Sequence, residues 1–189
     1  SYFSLVISSK LIKNKRNKLN FSLNLLGKHN ILNATAAIGV SIKIGIKISI
    51  IKKALLQFKG VERRFSFIDK INYVKIYDDY AHHPKEIVAT LDIARRICRG
   101  KIIVVFQPHR FSRTKLLFEE FIAVLKKIDV LLLADIYSAG ENNIKGLNIK
   151  LFNKLKKISK NIVIKTHNEK RLYKTIEPFF KKNNIIIFM

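Results

Sequence analysis

From residue 65 to its last residue, the chain alternates short apolar runs with longer amphipathic segments. The apolar runs predict strands near Phe65–Ile68, Tyr73–Tyr77, Ile102–Phe106, Val130–Ala134, Ile162–Ile164 and Ile185–Phe188. The amphipathic segments predict helices near Pro84–Cys98, Lys115–Lys127, Leu147–Ser159 and Glu169–Lys181. Continuous apolar strands that alternate with helices are typical of a parallel sheet covered on both faces. We therefore expect an α/β domain with a mostly parallel, doubly wound sheet of the dinucleotide-fold type.

The first 60 residues follow a different pattern. Two strand-like runs, Tyr2–Ile7 and Leu19–Leu25, precede two segments with helical spacing, Ile31–Ile42 and Ser49–Phe58. A segment of this kind cannot enclose a sheet by itself, so we expect it to be the tail of a larger domain. The last predicted strand coincides with the end of the sequence, where a doubly wound domain usually continues. We therefore expect the chain to be cut at both ends.

The formal net charge of +24 raises the possibility of a nucleic-acid-binding protein. The lysines, however, are scattered along every segment and form no block. Lys, Ile and Asn are abundant together, which is the bias expected of an AT-rich genome, whereas Arg is sparse. Arg is the residue that specific phosphate recognition prefers. The composition therefore argues against a nucleic-acid partner, although a small basic binding module stays a distant alternative.

Cysteine content and hydropathy bear on the compartment. Cys98 is the single cysteine, which excludes a disulfide within the chain and fits a reducing environment. Ser1–Ser9 has no charged segment of the kind that opens a signal peptide. The apolar run Ile31–Ile51 is interrupted by Lys43 and Lys47, so it does not predict a membrane span. We expect a soluble cytoplasmic protein with no membrane partner.

Cationic side chains follow the predicted strand Ile102–Phe106. The segment Gln107–Thr114, here called the arginine loop, contains His109, Arg110 and Arg113 before helical spacing resumes. Loops after the strands of an open α/β sheet are where ligands bind, and guanidinium groups suit carboxylates and phosphates. The two arginines either hold one anion between them or are solvated cations on a basic surface.

The segment Tyr77–Pro84, here called the aspartate loop, follows another predicted strand. It offers carboxylates, a phenol and imidazoles in the residues Asp78, Asp79, Tyr80, His82 and His83. Because both loops follow parallel strands, we expect them to meet at one edge of the sheet. A metal cluster is disfavoured, since the histidines lack the spacing of metal ligands. For His83, which precedes Pro84, we predict a helix-capping role.

Two further segments carry candidate ligand groups. Asn30 and Asn33 lie three residues apart near a helix start, where their amides can match the edge of a purine or merely cap the helix. Arg63 and Arg64 lie between the two regions of the chain. A cation there forms either an ion pair or a phosphate contact.

Taken in order, the motifs GxHNxxN, RRF, DDYxHHP and QPHRxxRT resemble those of the Mur ligases, which form amide bonds in peptidoglycan precursors at the expense of ATP. The fragment Asp135–Glu141 (DIYSAGE) also matches, so the resemblance spans most of the chain. The QPHRxxRT motif resembles that of the family members that add L-alanine to UDP-N-acetylmuramate through an acyl phosphate. These two compounds are therefore the substrates that the resemblance implies.

The resemblance implies a domain and a role for each motif. Residues 1–60 would be the end of the central ATP-binding domain, and residues 61–189 most of the C-terminal domain. The nucleotide would be bound by Asn30, Asn33, Arg64 and Asp79. The amino acid and the reaction intermediate would be bound by Tyr80, His82, His109, Arg110 and Arg113, of which His82, Arg110 and Arg113 would be catalytic. ATP and Mg²⁺ are the implied cofactors, and no metal ligand is assigned within the chain.

One departure from the family pattern limits what the chain can do. The sequence contains no GxxxxGK[ST] phosphate loop and has seven glycines, none of them clustered. We therefore expect no turnover by this chain alone, and we expect most Mg²⁺ ligands to lie outside it. It is either part of a working ligase or an inactive remnant of one.

Overall fold

The computed structural model describes residues 1–8, 17–166 and 169–189. The chain divides into two compact units, Ser1–Val61 and Glu62–Met189. Within the described ranges, no helix combines the length and the apolar character that crossing a membrane would require.

The first unit is a hairpin with two helices. Strands β1 (Tyr2–Ile7) and β2 (Asn17–Ser22) pair antiparallel and precede α1 (Lys28–Lys43) and α2 (Ile48–Gln57). The buried side chains that join strands and helices are Ile7, Phe21, Ile38 and Ile51. The second strand and both helices were predicted in the correct order, but their predicted bounds differ from the observed ones by a few residues. Helix α2 begins after Lys47 without a side-chain cap.

The second unit is built on a six-stranded sheet. Its strands are β3 (Ser66–Ile71), β4 (Val74–Asp78), β5 (Ile102–Phe106), β6 (Val130–Ala134), β7 (Ile162–Thr166) and β8 (Ile185–Phe188). They lie in the order β3-β4-β8-β5-β6-β7. The β3–β4 hairpin is antiparallel and the remaining pairs are parallel. The predicted α/β fold with a mostly parallel sheet is therefore confirmed.

Helices cover both faces of this sheet. The connecting helices are α3 (Pro84–Ile97), α4 (Phe111–Leu116), α5 (Phe118–Leu125), α6 (Leu147–Ile158) and α7 (Glu169–Ile176), which a 3-10 turn follows at Glu177–Phe179. Alternate residues of a strand point to opposite faces. Val104 and Phe106 of β5 accordingly pack in one cluster with Leu91 of α3 and Phe121 of α5, whereas Val105 packs in a second cluster with residues of α7.

The prediction of a single helix at Lys115–Lys127 is wrong. The structure has two helices there, and the first begins four residues earlier, at Phe111. Leu117 ends α4 and starts α5, with φ −106° and ψ 26°, which departs from helical geometry. Both helices keep a buried side, so the apolar periodicity runs through the break and conceals it. As a consequence, Arg113 lies on a helix and Arg110 immediately before it.

Candidate active site

The arginine and aspartate loops meet at the carboxyl edge of the parallel sheet. β4 and β5 flank the same strand, because Tyr77 and Val104 both pair with Ile187. The loops that follow them bring the rings of Tyr80 and His109 to 6.2 Å and those of His82 and His109 to 6.0 Å. The predicted meeting of the two loops at one edge of the sheet is therefore confirmed.

Two clefts open at this edge and share Tyr80 and His109. The arginine cleft, of about 580 Å³, is lined by Tyr80, His83, His109, Arg110, Ser112, Arg113, Leu116 and Leu117. The neighbouring sheet-edge cleft, of about 520 Å³, includes Arg63, Asp78, His82, Gln107, Thr166 and Met189 in its lining. Volumes of this size are in the range of small-molecule sites.

Arg110 and Arg113 line the arginine cleft from the start of α4. Arg110 precedes the helix with φ 76°, a left-handed conformation that is unfavourable for a residue with a Cβ atom. Its Nη1 atom lies 3.7 Å from Oε1 of Glu141, and 48% of its side chain stays exposed. Arg113 donates from Nη1 to the carbonyl oxygen of His109 at 3.4 Å. Both guanidinium groups therefore have donors to offer an anion.

The segment Asp135–Glu141 supports the arginine loop along its length. The N–H of Tyr137 donates to the carbonyl oxygen of Pro108, and the N–H of Arg110 donates to that of Tyr137, both at 2.8 Å. Ser112 donates to the Glu141 carboxylate from its N–H at 2.9 Å and from its hydroxyl at 2.6 Å. Neither Tyr137 nor Glu141 was a predicted site residue. The one signal for them was their place in the DIYSAGE fragment.

The surroundings of His109 favour its neutral form. Burial lowers its pKa below the ordinary value of 6.5, and the positive charge of Arg113 and the neighbouring His82 and Arg110 lower it further. Its Nδ1 atom is buried and has no hydrogen-bond partner among the described residues. A neutral ring beside two guanidinium groups leaves their positive charge available to an anionic ligand.

The start of α3 fixes His82 and His83. His83 is the N-cap residue, whose ring Nδ1 accepts from the N–H of Lys85, so its predicted capping role is confirmed. Glu86 completes a capping box, because its Oε2 accepts from the N–H groups of His82 and His83 at 3.1 and 3.2 Å. Nδ1 of His82 lies 2.8 Å from the carbonyl oxygen of Tyr80, which requires a proton on Nδ1.

Asp79 is buried beneath the aspartate loop, with 4% of its surface exposed. Its Oδ2 accepts from the N–H of Phe65 at 3.1 Å and from the hydroxyl of Thr90 at 2.8 Å. Its Oδ1 is buried and has no hydrogen-bond partner among the described residues. Burial raises the pKa of this carboxyl, although Thr90 and the charge of Arg64 oppose the shift.

Arg63 and Arg64 diverge. Arg64 donates to Oε1 of Glu86 at 3.3 Å and leaves about half of its side chain exposed. Arg63 lies over the ring of Tyr80 at 4.9 Å and donates from Nε to Asp78 at 3.0 Å, while its carbonyl oxygen accepts from the N–H of Tyr80. The sequence singled out both arginines, and each forms an ion pair, whereas the family resemblance assigned a role to Arg64 alone. The contact of Arg63 with Tyr80 is one that no local sequence pattern shows.

Asn30 and Asn33 lie in the first unit, in the first two turns of α1. Nδ2 of Asn30 donates to the carbonyl oxygen of Leu26 at 2.7 Å, which leaves its Oδ1 as an acceptor. Asn33 is exposed. In the described parts of the chain, no three His, Cys, Asp or Glu side chains are grouped as ligands for a metal ion.

Comparison with known proteins extends this picture. A UDP-N-acetylmuramate–L-alanine ligase of Wigglesworthia glossinidia brevipalpis is 42% identical over 187 residues, which are 93% of this chain and 39% of that protein. The ligase of the same name from Rhizobium johnstonii is 52% identical over 122 residues, which cover 65% of this chain and 26% of the relative. The chain thus spans less than half the length of these relatives.

Solved structures show the same fold. The crystal structure of a UDP-N-acetylmuramate–alanine ligase from Thermotoga maritima matches with a TM-score of 0.73 and 28% identity, over 92% of this chain and 36% of that one. A murein peptide ligase from Psychrobacter arcticus matches with a TM-score of 0.66 and 22% identity, over 100% of this chain and 40% of that one. The family model of the Mur ligase, glutamate ligase domain, matches residues 63–189. Since this match covers most of the chain, the chain belongs to the Mur ligase family.

Proposed function

We propose that this chain supplies the C-terminal part of an ATP-dependent ligase that joins L-alanine to UDP-N-acetylmuramate. One observation carries the proposal: Arg110 and Arg113 line the same cleft as Tyr80 and His109 at the carboxyl edge of the sheet. The proposed reaction is the one for which the relatives described above are named. The QPHRxxRT motif resembles that of the alanine-adding members in particular.

The amino acid binds in the arginine cleft. Its carboxylate pairs with the guanidinium groups of Arg110 and Arg113, whose planar forks suit a carboxylate. Such preorganised cations also stabilise the negative charge that develops when an amine attacks an activated carboxyl carbon. Because Nδ1 of His82 donates its proton to the carbonyl oxygen of Tyr80, Nε2 is left to accept the proton that the ammonium group of alanine loses before the amine attacks.

The nucleotide is the second part of the proposal. ATP supplies the activation of the muramoyl carboxylate as an acyl phosphate. Arg64, which is half exposed, pairs with the nucleotide, and Asp79 accepts from the ribose hydroxyls. Asn30 and Asn33 contact adenine, for which Oδ1 of Asn30 remains available. Residues 1–60 then belong to the central ATP-binding domain and residues 61–189 to the C-terminal domain, with Mg²⁺ held mainly by residues outside this chain.

The chain alone is inactive under this proposal. Its sequence has no GxxxxGK[ST] loop, and its seven glycines are dispersed. Incubation of the chain with ATP, Mg²⁺, UDP-N-acetylmuramate and L-alanine therefore releases no phosphate above the background without protein. Turnover by the isolated chain would contradict this expectation.

A chimera tests the function itself. The matching segment of the Wigglesworthia glossinidia brevipalpis ligase is replaced by this chain, which is 42% identical to it. The expected result is phosphate release that requires both UDP-N-acetylmuramate and L-alanine. A folded chimera that binds ATP yet releases no phosphate with both substrates would refute the proposal. It would favour the alternative that this chain is an inactive remnant of a ligase.

A further inference from the structure

The turn that carries Glu141 is strained. Ala139 and Gly140 have φ values of 49° and 86°, and the N–H of Glu141 donates to the carbonyl oxygen of Ser138 at 3.0 Å. Two successive left-handed residues suit glycine or asparagine at both positions, so the alanine is unfavourable there. Strained backbone persists where surrounding contacts hold it, and such positions are enriched at functional sites.

The contacts that hold this turn converge on the Glu141 carboxylate. Oε2 accepts from the N–H of Ser112, Oε1 accepts from the hydroxyl of Ser112, and Nη1 of Arg110 lies 3.7 Å from Oε1. The Ser112 hydroxyl and N–H lower the pKa of Glu141 below its ordinary value, and Arg110 adds to this shift. The carboxylate is therefore ionised at neutral pH and bound to the arginine loop across 29 residues of sequence.

Arg110 needs such support. It has a left-handed φ of 76°, and its N–H donates to the carbonyl oxygen of Tyr137, in the same segment as Glu141. Arg110 and Ser112 line the arginine cleft, whereas Glu141 is not among its described lining residues. Glu141 thus contacts Arg110 and Ser112 without facing the ligand that they would bind.

We propose that Glu141 is a positioning residue for the amino-acid site: it holds the Arg110 guanidinium and the start of α4 in the arrangement that receives the carboxylate of the amino acid. The proposal rests on the function proposed above, since it deepens the role of the same cleft. A turn-closing residue without this role would affect folding alone. A positioning residue affects the affinity for the amino acid and leaves the affinity for ATP unchanged.

The first test uses the chain itself and does not depend on the ligase activity. Hydrogen–deuterium exchange is compared for the original chain, Glu141→Gln and the control Glu120→Gln, which removes an exposed glutamate of α5. Glu141→Gln is expected to speed exchange at the Ser112 amide and in residues 109–113, with the β5 and β6 amides unchanged. Exchange equal to that of Glu120→Gln would overturn the positioning role.

The second test places the same substitutions in the chimera. Glu141→Gln is expected to lower kcat/KM for L-alanine by about 10-fold to 100-fold, a loss typical of a small misplacement of a binding group. The KM for ATP and the melting temperature should match those of Glu120→Gln. A loss that follows the melting temperature, or equal shifts in both KM values, would show a structural role only.

The two proposals fail in different ways. An unsubstituted chimera without alanine-dependent phosphate release refutes the proposed ligase function, and the exchange measurement then decides whether Glu141 holds Arg110 and Ser112. An active unsubstituted chimera in which Glu141→Gln behaves like Glu120→Gln refutes the role of Glu141 and leaves the proposed function standing.

Discussion

The carboxyl group of Asp79 is buried in the second unit. Its hydrogen bonds determine how far its burial destabilises the fold. Its raised pKa means that the folded chain holds the carboxyl proton more strongly than the unfolded chain does. The folded state therefore loses stability as the pH rises from the ordinary value of 3.8 through the raised folded pKa. Above the folded pKa this loss is complete. The bonds from Thr90 and Phe65 limit this penalty at neutral pH.

Replacing Thr90 by valine tests that balance. Thr90→Val keeps the side-chain shape but removes the hydroxyl that donates to Oδ2 of Asp79. Removal of one hydrogen-bond partner from this buried carboxyl group should lower the free energy of unfolding by about 1–3 kcal/mol. Urea denaturation at pH 7 measures the change. Thr35→Val is the control, because that hydroxyl donates to a backbone carbonyl oxygen in α1, and it should cost clearly less.

Single residues were predictable when their partners were close in sequence. The capping role of His83 followed from the adjacent Pro84, and the box with Glu86 spans three residues. Glu141 contacts Ser112 across 29 residues, and Arg63 contacts Asp78 across 15. Periodicity and spacing report local structure, so these two residues could not be assigned a contact from the sequence.

At the level of elements, burial explains which bounds could be predicted. β5 is buried at all five positions, and the strands Ile102–Phe106, Val130–Ala134 and Ile185–Phe188 were predicted with the observed bounds. A strand covered on both faces is a continuous apolar run with sharp ends. The break at Leu117 left no such signal, because α4 and α5 each keep a buried side across it.

The capping box of α3 leads to a prediction at the same scale. Burial alone would raise the pKa of Glu86, but the N–H of His82 and the charges of His82 and Arg64 bring it below 4.5. The stability that Glu86 contributes is therefore present above pH 4.5 and is lost as the pH falls through its lower folded pKa. Glu86→Ala should lower the free energy of unfolding by about 0.5–2 kcal/mol at pH 7, the range of a lost helix cap.

Denaturation at several pH values checks this expectation. The difference between Glu86→Ala and the original chain should shrink as the pH falls below 4.5. Glu119→Ala is the matched control, since Glu119 lies in the first turn of α5 and is exposed. A difference for Glu86→Ala that is independent of pH would show that the ionised carboxylate is not what stabilises the helix start.

For the whole molecule, the net charge of +24 says less about function than the positions of a few charged side chains do. Arg63, Arg64 and Arg110 are each paired with an acidic side chain at the site edge. The order of the motifs along the chain identified the family that residues 63–189 match. The pairing of the arginines required the fold, because it joins residues from different loops.

Our central proposal is that Arg110 and Arg113 bind the carboxylate of L-alanine. The most direct measurement is the kinetics of the chimera with Arg113→Met, a substitution that keeps an unbranched apolar stem and removes the guanidinium. Loss of one preorganised donor should lower kcat/KM for L-alanine by about 10²–10³-fold. The KM for ATP should stay within about twofold of its original value. An unchanged kcat/KM for L-alanine, or a rise in the KM for ATP of the same size, would contradict the account.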